Sequence, residues 1–95
     1  MRTSHTTAKT TVASYVFEPG AEFPMHRHDE EQITVVIEGG IDFTVGGQTH
    51  HLGVGETFVV EPGVAHCLRA GDAGTRFVAV VVPRRTHQDA YELIP

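Results

Sequence analysis

The chain has 95 residues, one cysteine, seven histidines and a formal charge of -5. That length makes one small domain, the lone Cys67 excludes an internal disulfide, and the acidic balance excludes a nucleic-acid binder that runs on phosphate contacts. No apolar run approaches the roughly 18 residues of a membrane span, so a thin core must draw support from a metal ion or from a second copy of the chain.

Residues 1–10 are polar and are expected to form a flexible segment. They lack the apolar stretch of a signal peptide, which together with the single cysteine points to the cytoplasm. Thr11 to Phe17 reads as a strand, and EPGAE at 18–22 as a turn. Phe23 to His28 is a second extended run, with Pro24 hinting at an edge. The acids Asp29, Glu30 and Glu31 read as a solvated turn. QITVVIE at 32–38 is a strong strand, and Gly39-Gly40 turns the chain into IDFTV. Gly46-Gly47 signals a two-residue hairpin, after which QTHHL, TFVV and VAHCLRA follow as short strands. GDAG at 71–74 leads into the last long strand, TRFVAVVV, which Pro83 ends. Residues 84–95 read as a polar tail with one helical turn. Short β-branched strands at this spacing, with turn chemistry between them, predict an all-β sandwich or barrel over residues 11–83.

Metal ligands on one strand must share a face, hence parity. His26 and His28 do, and Gln32 and Thr34 share it if the intervening turn keeps register. Asp29 and Glu31 do not, and Glu30 sits mid-turn. The strand after Pro62-Gly63 brings up His66. Three imidazoles and one amide oxygen can enclose a first-row divalent ion.

These residues carry a family resemblance. GAEFPMHRHDEEQITVVIEG resembles the first cupin motif, with Gly20, His26, His28 and Gly39 at the matching places and Gln32 where the motif has glutamate. GETFVVEPGVAH resembles the second motif through Gly55, Gly63 and His66, with Glu61 in place of the motif proline and Ala70 in place of its terminal asparagine. The resemblance implies a small double-stranded β-helix, a jelly-roll-like barrel that forms a homodimer. It also implies a metal site at His26, His28, Gln32 and His66. Without the glutamate this shell is neutral, which disfavours hard cations and leaves zinc, nickel, iron, cobalt or copper. A neutral shell leaves the ion its full charge for a small anionic or sugar-derived carbonyl compound. Isomerase, lyase or dioxygenase chemistry follows from such a site; a non-catalytic small-ligand sensor is the alternative. A narrower resemblance, to the pectin-degradation cupins, aligns VVVPRR with a family segment in which Arg85 matches the family's arginine; Ala79 and Val81 stand where that family has an acid and an aromatic.

Thr34, Phe23 and Arg85 are therefore the candidate substrate-binding residues, and Tyr15 and Arg69 are further pocket candidates. Phe17, Phe43, Phe58 and Phe77 belong to the core, with one or two aromatics at the pocket mouth. His50 and His51 are adjacent and point to opposite faces. His5 and His87 fall in solvated ends, and Cys67 has the wrong parity to join His66.

Overall fold

The computed structural model describes residues 1–85 and 91–94. It is built from β1 (Arg2–Thr6), β2 (Thr11–Phe17), β3 (Glu22–Arg27), β4 (Glu31–Val45), β5 (Gln48–Leu52), β6 (Thr57–Val60), β7 (His66–Val82) and β8 (Glu92–Leu93). No helix occurs among the described residues. All pairings are antiparallel and join into one rolled sheet, the jelly-roll-like barrel that the sequence predicts.

β4 and β7 form the spine, pairing from Glu31↔Val82 at one end to Val45↔His66 at the other. Gly39-Gly40 and GDAG, read from sequence as turns, lie inside these long strands. The register shifts between Val36 and Glu38 and again between Gly39 and Ile41. Gly39 and Gly74 both have positive φ, and a Cβ built on Gly39 would fall onto the Gly74 carbonyl oxygen. Only glycine fits such an approach at this dihedral. The paired glycines bend the ladder so that its two ends meet, which encloses the barrel interior.

Alternation then sorts the side chains. Val36, Ile41, Phe43, Leu52, Val60, Leu68 and Phe77 form the buried cluster, with Tyr15, Phe17, Phe23, Val45 and Phe58 packed against it. Phe43 and Phe77 are fully buried, a burial that stabilises by about 1.5–3 kcal/mol per ring. Two segments differ from their sequence reading. Residues 1–10, expected to be loose, contain β1, which runs beside β2 from Arg2↔Tyr15 to Thr6↔Thr11. The tail, expected to make a helical turn, contributes β8, which pairs with β3 at His26↔Leu93 and Arg27↔Glu92. The rest of the expected turn, with His87, lies outside the described residues.

Candidate metal centre

β3, the loop after it, and the start of β7 bring three imidazoles together. The ligand-capable nitrogens of His26, His28 and His66 all lie within 4.8 Å of one another. Ring centroids are 4.1 Å apart for His26–His66 and 4.9 Å for His28–His66. His26 and His66 face each other as a β3–β7 pair. All three are buried, His66 fully.

Each imidazole is oriented by a backbone carbonyl. His26 Nδ1 donates to Pro24 O at 2.7 Å, His28 Nδ1 to Glu30 O at 2.9 Å and His66 Nδ1 to Val64 O at 2.9 Å. A carbonyl only accepts, so each Nδ1 carries the proton and each Nε2 presents its lone pair. This is the outer-sphere arrangement that prepares histidine for a metal. His66 Nε2 is buried without any hydrogen-bond partner, an orphan that requires an explanation. Gln32 adds a fourth acceptor. Its amide N–H donates to Thr34 Oγ1 at 3.0 Å, which turns Oε1 toward His28 Nε2, also at 3.0 Å. In this orientation two acceptors face each other, an arrangement that a proton or a metal ion between them satisfies. The donor set, three neutral imidazoles and one amide oxygen, fits a borderline transition metal.

Burial holds His26 below its ordinary pKa and pushes His66 down to about 4; the neighbouring imidazoles and the Arg85 charge act in the same direction. Between that value and the ordinary 6.5 the unfolded chain binds a proton that the folded chain does not. Stability of the metal-free protein therefore falls as pH drops through this window, by up to about 1.4 kcal/mol per pH unit from His66 alone. Urea unfolding at pH 7, 6 and 5 measures it, and a flat profile would contradict neutral buried imidazoles.

A cavity of about 190 Å³ opens on His26 and Gln32. Its walls are aromatic: Tyr15, Phe17, Phe23, Phe77 and Tyr91, with Leu68. Phe23 reaches this interior because of a bulge. The β3–β7 register shifts between Phe23 and His26, where Pro24 offers no N–H, and the extra residue puts both rings on one face, 4.3 Å apart. Pairing of β8 with β3 holds Tyr91 over them, 5.2 Å from Phe23 and 5.7 Å from His26. Arg2 and Arg85 supply positive charge. Arg85 is held by its own N–H on Thr11 Oγ1 at 2.9 Å, and its Nε lies 3.5 Å from Glu30 Oε1. Neither atom makes an aligned hydrogen bond, so this buried pair is held by charge alone.

Of the candidate substrate-binding residues, Phe23 and Arg85 line this cavity, whereas Thr34 is fully buried beside Gln32 and braces its amide. Tyr15 lines the cavity too; Arg69 is exposed and faces Glu22 at 3.9 Å. Ala79 and Val81 are buried partners of Thr34 and Gln32, and neither lines the cavity. Among the acids, Glu30 is a correction: it is buried against Arg85, not solvated, while Asp29 is exposed. His50 packs on Phe58 at 4.9 Å and His51 bonds Asp42, both away from the cluster; His5 is exposed. Cys67 is a half-buried free thiol. Sequence reading missed Arg2, Glu30 and Tyr91. Only Glu30 carried a signal, the shared parity with His28.

Comparison with known proteins places these observations. The family described as "Cupin domain" matches residues 13–83. KdgF from Halomonas sp. superposes with a TM-score of 0.84 over 90% of this chain and 79% of that one, at 24% identity, a likeness of fold. An RmlC-like cupin from Shewanella frigidimarina gives 0.83 over 90% and 77%, at 27% identity. The HTH-type transcriptional regulator PuuR of Escherichia coli is 35% identical over 48 residues, 50% of this chain and 26% of the regulator. The chain thus matches about a quarter of that curated relative. Among the described residues no helix is long and apolar enough to cross a membrane.

Proposed function

The chain belongs to the cupin family, and from that premise we propose that it is a metal-dependent enzyme acting on a small organic anion. His26, His28, His66 and Gln32 would hold a transition metal: zinc, nickel, iron, cobalt or copper. The single observation that carries this is the orphaned, fully buried His66 Nε2 facing two other imidazoles whose protons are committed elsewhere. A bound metal would act as a Lewis acid on a ligand oxygen. The protein's own groups do the rest. Arg85 attracts and orients the anion, the aromatic walls exclude water, and Thr34 keeps the Gln32 oxygen aimed inward. Isomerase or lyase chemistry suits a redox-inert ion, and dioxygenase chemistry a redox-active one. Metal analysis of freshly purified protein, followed by turnover of a panel of small acids, tests this reading. About one equivalent of a transition metal and chemical conversion are expected; metal-free protein without turnover sinks it.

A second reading has its own support. The regulator PuuR shares half of this chain's length, and among the described residues no carboxylate lines the cavity to move a proton. A ligand-sensing cupin would show a melting shift with its ligand and no product.

We also propose a cytoplasmic homodimer. The runs ITVVIE and FVAVVV lie inside the sheet and are not free edges, β4 between β6 and β7 and β7 between β2 and β4. What is apolar is their outer face. Val12, Val80, Ile33 and Val59 form one row across four strands, and Val59 is 49% exposed and Val82 40%. A solvated antiparallel face is ordinarily polar, and a second copy covering this one explains the pattern. Sedimentation at micromolar concentration should give a dimer that Val59→Asp dissociates.

A further inference from the structure

Gln32 has a freedom that a carboxylate in its place would lack. The oxygen and nitrogen of its amide fill nearly the same space, so the group can stand either way round, and its hydrogen-bond partners decide between the two. The partners are His28 Nε2 at 3.0 Å on one side and Thr34 Oγ1 at 3.0 Å on the other. All three residues are buried, Thr34 completely, so the choice is made by protein atoms. His28 is fixed as well. Its Nδ1 lies 2.9 Å from the Glu30 carbonyl oxygen, which only accepts, so Nδ1 holds the proton and Nε2 offers a lone pair.

With the amide oxygen toward His28, two lone pairs face each other. Thr34 then accepts from the amide, and its own proton has no side-chain acceptor among the described residues. Without an ion, this leaves buried polar groups unpaired at both ends, each at a loss of stability. Turned over, the same atoms satisfy one another. The amide N–H donates to His28 Nε2, and the Thr34 hydroxyl, which both donates and accepts, donates to the amide oxygen. The 3.0 Å separation at each contact lies within the ordinary hydrogen-bond range. The first orientation becomes the better one when an ion takes up both the imidazole lone pair and the amide oxygen.

We propose that Gln32 is an amide switch worked together with Thr34. In the metal-free protein its N–H caps His28 Nε2; on metal binding the amide turns over to present its oxygen, and Thr34 passes from donor to acceptor. This deepens the metal-dependent reading above and rests on it for the second state alone. It gives glutamine a role that glutamate could not fill, because an ionised carboxylate accepts and never donates. The cap also adds selectivity. The His28 lone pair is released only to an ion that holds imidazole more strongly than the amide N–H does, which hard, oxygen-preferring ions do not.

Nitrogen-15 NMR of the full chain at pH 8, above the ordinary imidazole value of about 6.5, tests the switch. In the metal-free protein His28 should carry its proton on Nδ1 and none on Nε2. A through-hydrogen-bond coupling should join that Nε2 to the Gln32 side-chain nitrogen. One equivalent of zinc should abolish the coupling and shift the Gln32 amide protons. Thr34→Val removes one amide partner in each state, so it should change zinc affinity less than about fivefold. A larger loss would mean that the hydroxyl holds one orientation throughout, and overturns the switch. A proton on His28 Nε2 without metal, no coupling to Gln32, or a coupling that persists with zinc bound overturns it equally. Zinc that moves none of the three imidazoles sinks the metal reading and the second state with it, while the coupling still decides whether the cap exists.

Discussion

Replacing His66 with alanine should lower zinc or nickel affinity by about 100-fold or more, measured by competition with a chelating dye. The magnitude follows from structural zinc sites, where four ligands together supply roughly 10–16 kcal/mol, or about 2.5–4 kcal/mol per ligand. His66 is the sharpest choice because its Nε2 has no other partner to satisfy. Alanine also removes the proton-linked term, so the variant's metal-free stability should depend less on pH between 6.5 and about 4 than the parent's. Gln32→Glu moves in the opposite direction. A carboxylate at the position of Oε1, still within reach of His28, adds the negative charge that the present shell lacks. Manganese and iron(II) affinity should rise relative to zinc, since oxygen-preferring ions gain most from an anionic ligand. If His66→Ala leaves metal affinity unchanged, the imidazole cluster is not the site.

The clustering of His26, His28, His66 and Gln32 was legible because parity survives wherever strands run regularly. β4 is regular from Gln32 to Val36, so Gln32 and Thr34 fall on the inner face as alternation predicts. Phe23 illustrates the limit: simple alternation would put it opposite His26, and the bulge at Pro24 brings it back. Glu30 had the right parity but read as solvated, because its partner Arg85 is remote in sequence and charge pairing leaves no local pattern. Arg2 and Tyr91 were invisible for another reason. β1 and β8 are almost entirely exposed, so neither shows the alternation that marks a half-buried strand. The glycine pairs were found but assigned the wrong device. Positive φ serves a tight turn and a bend in a continuous strand equally well, and only the ladder across from Gly39 tells them apart.

That bend gives the second large effect. Along the β4–β7 ladder, Gln32 pairs with Val81 and His66 with Val45. These are opposite ends, separated in a straight strand by roughly 43 Å at about 3.3 Å per residue. Yet Gln32, through its contact with His28, and His66 belong to one cluster. The fold closes that distance by bending the ladder where Gly39 faces Gly74. Gly39→Ala places a Cβ onto the Gly74 carbonyl oxygen at a φ of 70°. The left-handed backbone alone costs about 1–3 kcal/mol for a non-glycine residue, and backbone oxygen cannot swing aside as a side chain can. A loss of about 3 kcal/mol or more is expected, or roughly 12–24 °C in melting temperature for a chain of this size. Gly71→Ala is the matched control. Its Cβ would meet the Gly40 oxygen at 3.5 Å, an ordinary contact, and Gly71 has no positive φ. It should shift the melt by only a few degrees. Because the bend joins the two ends of the ladder, Gly39→Ala should also weaken zinc binding although it touches no ligand, whereas Gly71→Ala should not. Equal effects of the two substitutions on stability and on zinc would show that the bend does not depend on the Gly39–Gly74 approach.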